Sequence, residues 1–476
     1  MAPLLRLALF RWTLVSGLLC APALVQAQNA MSPAALAALA TPGAPAQPDA
    51  AHSRLRLLRA GALLAVPGET PLGQSTVVIG ADGRITAIHR GWPEPAALDL
   101  PADTEVIDLK DQFVMPGFMD VHVHLTSGGI AGRIPDAALR EEDGFFALNG
   151  ARNARATLMA GFTTVRDLGA PDGAIYPLRD AVRAGIVAGP HILAAGAGIS
   201  PTNGHADVHG LRKALLAASD RGNTCNGADD CMRATREAIR AGADVIKVHV
   251  TGGVTDSSDT GTGQQFTDAE LQAIAWTAHS MGRKVTTHAH GKEGIDAAVR
   301  AGYDSIEHAM WADEESLKAM KARGTWLVPT VWPIDWVGDT PDKVRAGPFR
   351  NLNENSMAKM LLLGDQPKKL ARMAVRLGVP IALGTDSGIS PHGTNAREMI
   401  EYVAAGMSPT EALKTGTVNA AAAMGLKDRG RIAPGMLADV IALGGDPIRD
   451  IAQVLNVRFV MRDGIIFKQS GIAQGE

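Results

Sequence analysis

The sequence predicts an α/β protein, a (β/α)8 TIM barrel carrying a composite β-sandwich built from its two ends. Three observations predict it. Helical stretches ending in glycine alternate with short β-branched runs through the middle of the chain. Short-period β patterns with Asp-Gly turns occupy both ends, and histidines collect where the central runs finish.

The first residues stand apart from this pattern. Arg6 and Arg11 precede an apolar run from Leu14 through Leu24, and Val25-Gln26-Ala27 reads as a small-residue cleavage site. That is the layout of a secretory signal peptide over 1–27, too short and too early for a membrane anchor. Cys20 follows Leu19 rather than a small residue, which sets a lipoprotein signal aside. The Ala/Pro/Gln-rich stretch 28–51 reads as a flexible linker. A periplasmic or secreted location follows. In that oxidising setting Cys225 and Cys231 are expected as a disulfide across a Gly/Asn/Asp-rich loop. A redox or metal pair fits them less well, because the spacing is not C-x-x-C and no histidine lies close.

Residues 52–114 hold strand-like runs, with Asp82-Gly83 as a hairpin turn, and 430–476 repeat that character around Asp463-Gly464. These two segments are read as halves of one sandwich. Between them, 115–429 carry the barrel. Glycines 161, 242, 282, 302, 324 and 378 each close a helical stretch and precede a β-branched run, the expected order of a helix C-cap and a following parallel strand. With the runs ending at His124 and beginning at Pro190, eight strands result, a number that fits a barrel. No G-x-G-x-x-G follows the first strand, which disfavours a doubly wound sheet.

The 476-residue chain is 46% hydrophobic and 20% charged, with a formal net charge of −3. This gives no electrostatic basis for nucleic-acid binding, and no later stretch has the length of a membrane span.

Active sites of such barrels lie at the C-terminal strand ends. There the sequence places His122 and His124, Lys247 and His249, His288 and His290, Glu307-His308, and Thr385-Asp386. An i, i+2 pair shares one strand face, so each His-x-His points both rings one way. Of 13 histidines, six fall at four strand ends, a concentration that structural needs alone rarely produce, and metal binding follows. Lys247 as an ammonium among metal ligands is a charge conflict. Either it is a salt-bridged structural lysine, or its amine has taken up CO2 as a carbamate whose oxygens bridge two cations. Its place on the fourth strand favours the carbamate. Arg166-Asp167 reads as a local salt bridge. The remaining histidines, including His191 and His392, read as surface or packing residues.

The segments MPGFMDVHVHL (115–125), GFTTVRDLG (161–169), AGADVIKVHVTGG (241–253), THAHG (287–291), SIEHA (305–309), LGTDSG (383–388) and GRIAPGMLADVIALGGDP (430–447) together resemble the amidohydrolase superfamily. The resemblance covers nearly all of the chain beyond the linker. It is strongest to the subgroup of Xaa-Pro dipeptidases, imidazolonepropionase-like hydrolases and ochratoxin-degrading amidohydrolases. The resemblance implies two divalent metal ions, zinc in most members. His122, His124 and Asp386 would hold one, His288 and His308 the other, and carboxylated Lys247 would bridge them. It also implies a homo-oligomer, with an octamer suggested, and small-molecule amide or peptide substrates, ochratoxin A included.

Two cations sharing a water would lower its pKa and polarise the scissile carbonyl. Asp386 is the expected proton shuttle to the leaving nitrogen, with no covalent intermediate. His249, His290 and the loop residue His205 are candidate substrate-binding groups. Trp311, Trp326, Trp332 and Trp336 suggest an apolar pocket, and the segment after Pro329 a lid. An Xaa-Pro dipeptidase with the same site, a single-metal deaminase and a non-catalytic binding protein are the competing readings.

Overall fold

The computed structural model describes residues 54–127, 140–218, 221–256 and 261–473. The expected signal peptide and linker over 1–51 lie outside them. Among the described residues, no helix is long and apolar enough to cross a membrane.

Four strands open the chain: β1 (Arg56–Leu63), β2 (Ser75–Ile79), β3 (Ile85–Arg90) and β4 (Glu105–Pro116). A parallel series follows. β5 (Phe118–Val123), β6 (Phe162–Asp167) and β7 (His191–Ala194) make one sheet. β8 (Val245–His249), β9 (Lys284–Ala289), β10 (Ser305–His308) and β11 (Trp326–Val328) make another. Helices separate most of these strands, as the alternation requires. Gly302, Gly324 and Gly378 cap three of them in the left-handed conformation, which a side chain would resist.

The two parallel sheets are joined by hydrogen bonds on both sides. Ile199 N–H donates to Lys247 C=O and His249 N–H to Ile199 C=O, each at 2.8 Å. On the other side the stretch 379–387 runs between β11 and β5. Leu327 N–H donates to Pro380 C=O at 2.9 Å, and Val121 N–H to Leu383 C=O at 2.8 Å. The sequence predicts a regular eighth strand here, and the structure corrects it to single parallel bridges at Ile381 and Ser387. Pro380 has no N–H to donate, and Asp386 leaves the extended region with φ 52°, so a continuous ladder cannot form.

The chain ends with β12 (Val440–Leu443), β13 (Val457–Arg462), β14 (Ile465–Gln469) and β15 (Ile472–Ala473). β12 pairs antiparallel with β4 from Val440↔Pro116 to Leu443↔Phe113. Strands of both ends therefore form one eight-stranded sheet, ordered β15-β14-β13-β12-β4-β1-β2-β3. Hydrogen bonding thus unites the two end segments in one sheet, as a composite of both ends requires. The cause is β4, whose 12 residues are long enough to bond β1 on one edge and β12 on the other. Leu58, Val77, Ile107, Val440 and Phe459, drawn from both ends, share one buried cluster. Cys225 and Cys231 form the expected disulfide.

Candidate active site

Strand alternation determines which side chains meet inside the parallel sheets. Asp120 and His122 share one face of β5, Lys247 and His249 one face of β8, Thr286 and His288 one face of β9, and Ser305 and Glu307 one face of β10. All eight are buried. His308 follows Glu307, so regular alternation would turn it away. Its φ of 70° breaks the strand there, and Asp386 and Thr330 share the left-handed region at 52° and 48°. Such backbone costs a non-glycine residue on the order of 1–3 kcal/mol and tends to persist at functional sites.

The rings converge. His122 and His308 lie 5.1 Å apart by centroid, and His288 and His308 4.7 Å. Nε2 of His124 and of His122 lie 3.1 and 3.5 Å from Asp386 Oδ1. His122, His308 and Asp386 each offer a ligand atom, all within 4.8 Å of one another. The opposite nitrogens of three rings are tied down. Nδ1 meets Glu307 Oε2 at 3.0 Å in His122, Gly169 C=O at 2.9 Å in His124 and Thr330 Oγ1 at 2.8 Å in His308. His288 Nε2 is buried without a hydrogen-bond partner.

Glu307 is placed at a strand end by the sequence but is given no role there. Oε1 accepts from Arg166 Nη2 at 3.0 Å and Ser305 Oγ at 2.7 Å, and from the Thr286 hydroxyl. Arg166 thus pairs with Glu307 across the interior and not with its neighbour Asp167, which corrects the expected local bridge. Asp167 instead accepts the N–H groups of Leu125 and Gly169. Arg166 and Asp167 are consecutive residues of β6, so their side chains point to opposite faces. The Glu-His pair at the end of β10 was the available signal. Asp120 has a similar supporting role, accepting from Thr385 N–H at 3.1 Å and Thr385 Oγ1 at 2.6 Å. It fixes the residue before Asp386. His392, expected as surface or packing, sits beside the site, its Nε2 3.2 Å from His124 C=O.

Burial sets the charge state of the cluster. Desolvation, reinforced by Lys247, lowers the His122 pKa to about 4, and burial holds His288 and His308 well below the usual histidine range. These rings are neutral at pH 7, as metal ligation requires. Burial would raise Asp386, but His122 and the hydrogen bond from His124 outweigh it and lower its pKa. Burial would likewise raise Glu307, yet Arg166 and His122 bring it down to about 2. Burial lowers Lys247 to about 8 against the opposing charges of Glu307 and Asp386.

The other candidates arrive at the same place. The loop residue His205 brings its ring 4.3 Å from His288 and 5.3 Å from His249, and His290 lies 4.4 Å from His288. Close approach is made possible by glycine. A Cβ on Gly253 would stand 1.9 Å from His205 Cε1, and one on Gly198 2.4 Å from His249 Cε1. All nine residues expected at the site line one cavity of about 260 Å³. Its apolar wall includes Met310, Ile334, Val337, Met360 and Leu363. The expected tryptophan lining is therefore corrected to aliphatic and methionine side chains. Trp332 is held elsewhere by Thr394 and Arg397, Trp336 is exposed, and Trp311 reaches the site through the ring of His290. Residues of the segment after Pro329 line the cavity: Ile334 and Val337 on helix Trp332–Val337, and Met360 and Leu363 on helix Glu354–Leu363.

The amidohydrolase family model matches residues 113–466. Ochratoxinase of Aspergillus niger is 35% identical over 383 residues, covering 75% of this chain and 76% of that protein. Its crystal structure superposes with a TM-score of 0.77 at 31% identity, over 88% of this chain and 97% of the other. An Xaa-Pro dipeptidase with methionine bound in the active site gives a TM-score of 0.78 at 34% identity, over 87% of this chain and all of that one (100%). A buried histidine cluster at strand ends and these likenesses point the same way: the chain belongs to the amidohydrolase family and is a hydrolytic enzyme acting on amide bonds.

Proposed function

We propose that this enzyme is a binuclear metal-dependent amidohydrolase cleaving N-acyl amino acids and dipeptide-like amides, with ochratoxin A among its substrates. Cleavage of ochratoxin A would release phenylalanine and ochratoxin α. The observation that carries the reading is the division of labour in the rings. Nδ1 of His122, His124 and His308 is anchored, while Nε2 of His122 and His124 faces Asp386.

The residues fit a metal pair. A buried imidazole nitrogen without a partner, as in His288, is costly unless a cation or donor satisfies it. His122, His124 and Asp386 would hold one cation and His288 and His308 the other. Lys247 would bridge them as its carbamate. Glu307 is committed to His122 and Arg166, so the charge conflict at Lys247 is better met by carbamylation than by an ion pair. Bound there, divalent cations such as zinc would activate water and polarise the scissile carbonyl.

Asp386 would take the proton of the attacking water and pass it to the leaving nitrogen, since its lowered pKa keeps it ionised in the resting state. His205, His249 and His290 would receive the polar end of the substrate, and the methionine and aliphatic wall its apolar group. The bridged parallel sheets would form a (β/α)8 barrel, with domain limits near 115 and 429. We extend the proposal to export by a signal peptide over 1–27, consistent with the Cys225–Cys231 disulfide, and to a homo-oligomeric state.

Hydrolysis of an N-acyl amino acid panel by zinc-reconstituted protein, with products identified, tests the reading. Release of free phenylalanine from N-acyl-phenylalanine substrates supports it. The likeness to an Xaa-Pro dipeptidase motivates one rival, in which kcat/KM is highest for Xaa-Pro dipeptides. No turnover across a zinc-loaded panel would overturn both.

A further inference from the structure

His205 is held from behind by two side chains that no catalytic step uses. Asp256 Oδ2 lies 2.6 Å from His205 Nδ1 and also accepts Gly253 N–H at 2.8 Å. Its other oxygen accepts from Lys359 Nζ at 2.6 Å. Lys359 Nζ donates again to Asp256 C=O at 2.9 Å, and Ser356 Oγ to the same carbonyl at 2.7 Å. Asp256 and Lys359 side chains are 4% and 9% exposed.

Lys359 and Ser356 sit on helix Glu354–Leu363, whose Met360 and Leu363 wall the cavity. Ser356, Lys359, Met360 and Leu363 follow i, i+3, i+4, i+7 spacing, so one buried face of this helix both lines the cavity and grips Asp256. His205 packs on Gly253, four residues beyond the strand that carries Lys247. Fixing Nδ1 on Asp256 sets the ring's orientation and leaves Nε2 as the nitrogen for the cavity. A buried ion pair of this kind is weak evidence for stability, because an apolar pair of similar volume often does as well. It does specify geometry between the two segments it joins.

We propose that Asp256 and Lys359 are positioning residues for His205, coupling the seat of the substrate's apolar group against helix Glu354–Leu363 to the grip of His205 on its polar end. This rests on the reading of His205 as a substrate-binding group given above. A substrate that fills the apolar wall would then be held at both ends, whereas one with a small acyl group would draw little from the coupling.

The test uses the zinc-loaded full chain with Lys359→Met, Lys359→Arg, Asp256→Asn, His205→Asn and the Asp256→Asn/His205→Asn double variant. KM and kcat are measured for N-acyl-phenylalanines with a large apolar or an acetyl acyl group. For the large group, Lys359→Met and Asp256→Asn are expected to raise KM about tenfold, the scale of one charge-assisted hydrogen bond, with kcat little changed. Lys359→Arg restores KM, and the double variant is no worse than His205→Asn alone. Additive losses in the double variant, or an unchanged KM in Lys359→Met, overturn the proposal. Crystals of Lys359→Met give an answer independent of turnover: a displaced His205 ring supports the coupling and an unmoved one overturns it. Failure of the wild type on the panel would instead count against the substrate reading.

Discussion

Oε2 of Glu307 lies 3.0 Å from Nδ1 of His122, with the two side chains 0% and 1% exposed. A carboxylate behind a ligating imidazole fixes the ring's tautomer and raises its basicity. Glu307→Gln should therefore weaken metal retention by about 10–100-fold. Metal content after dialysis against graded chelator, and recovery of activity with added zinc, check this. Equal retention in both proteins would remove Glu307 from that role.

Asp386 faces both His122 and His124, yet its predicted work is proton transfer. Asp386→Asn should lower kcat by about 10²–10⁴-fold, the usual scale of general acid–base catalysis, while most of the metal stays bound. Elemental analysis of the purified variant beside its rate separates the two effects. A variant that keeps its turnover excludes the shuttle.

Lys247→Ala should be inactive for want of a bridging anion. Small carboxylates supplied in solution, formate or acetate, would take the place of the proposed carbamate's oxygens and should restore part of the rate. Lys247→Arg, with a permanent positive charge, should not respond. If neither variant is rescued while both retain two metals per chain, the bridging role is lost.

Glu398 offers a pH test away from the metal cluster. Its two oxygens accept Val331 and Trp332 N–H at 2.8 and 2.7 Å, rooting the segment whose Ile334 and Val337 line the cavity. Burial pushes its pKa from 4.5 to about 8. The folded chain then keeps a proton that the unfolded chain releases near pH 4.5. Across the window from 4.5 to about 8 the folded state binds more protons, so this group makes stability fall as pH rises, levelling off above 8. Urea unfolding at several pH values should show the slope in wild type and a flatter profile in Glu398→Gln.

Much of this was legible in the chain itself. The i, i+2 histidine pairs and Lys247 carry their own geometry, because alternation along a strand is fixed by the backbone. Glycine caps marked the helix ends for the same local reason. What stayed hidden depended on distant partners or on departures from regular backbone. Arg166 finds Glu307 across the interior, and His308 reaches the site through a left-handed φ that no spacing rule anticipates. The tryptophans misled because abundance near a strand end says nothing of direction, and the wall proved to be methionine and aliphatic. The joining of both ends in one sheet turned on the length of β4, which pairs with strands from both ends.

That last pairing has a consequence for biogenesis. Phe113 meets Leu443 only across the whole intervening polypeptide, so during synthesis β4 leaves the ribosome with one edge unmatched until the C-terminal strands arrive. Such late, non-local closure slows folding and leaves an edge open to association while it waits. A chain cut short before β12 would still contain every residue of the active site, and would be expected in the insoluble fraction.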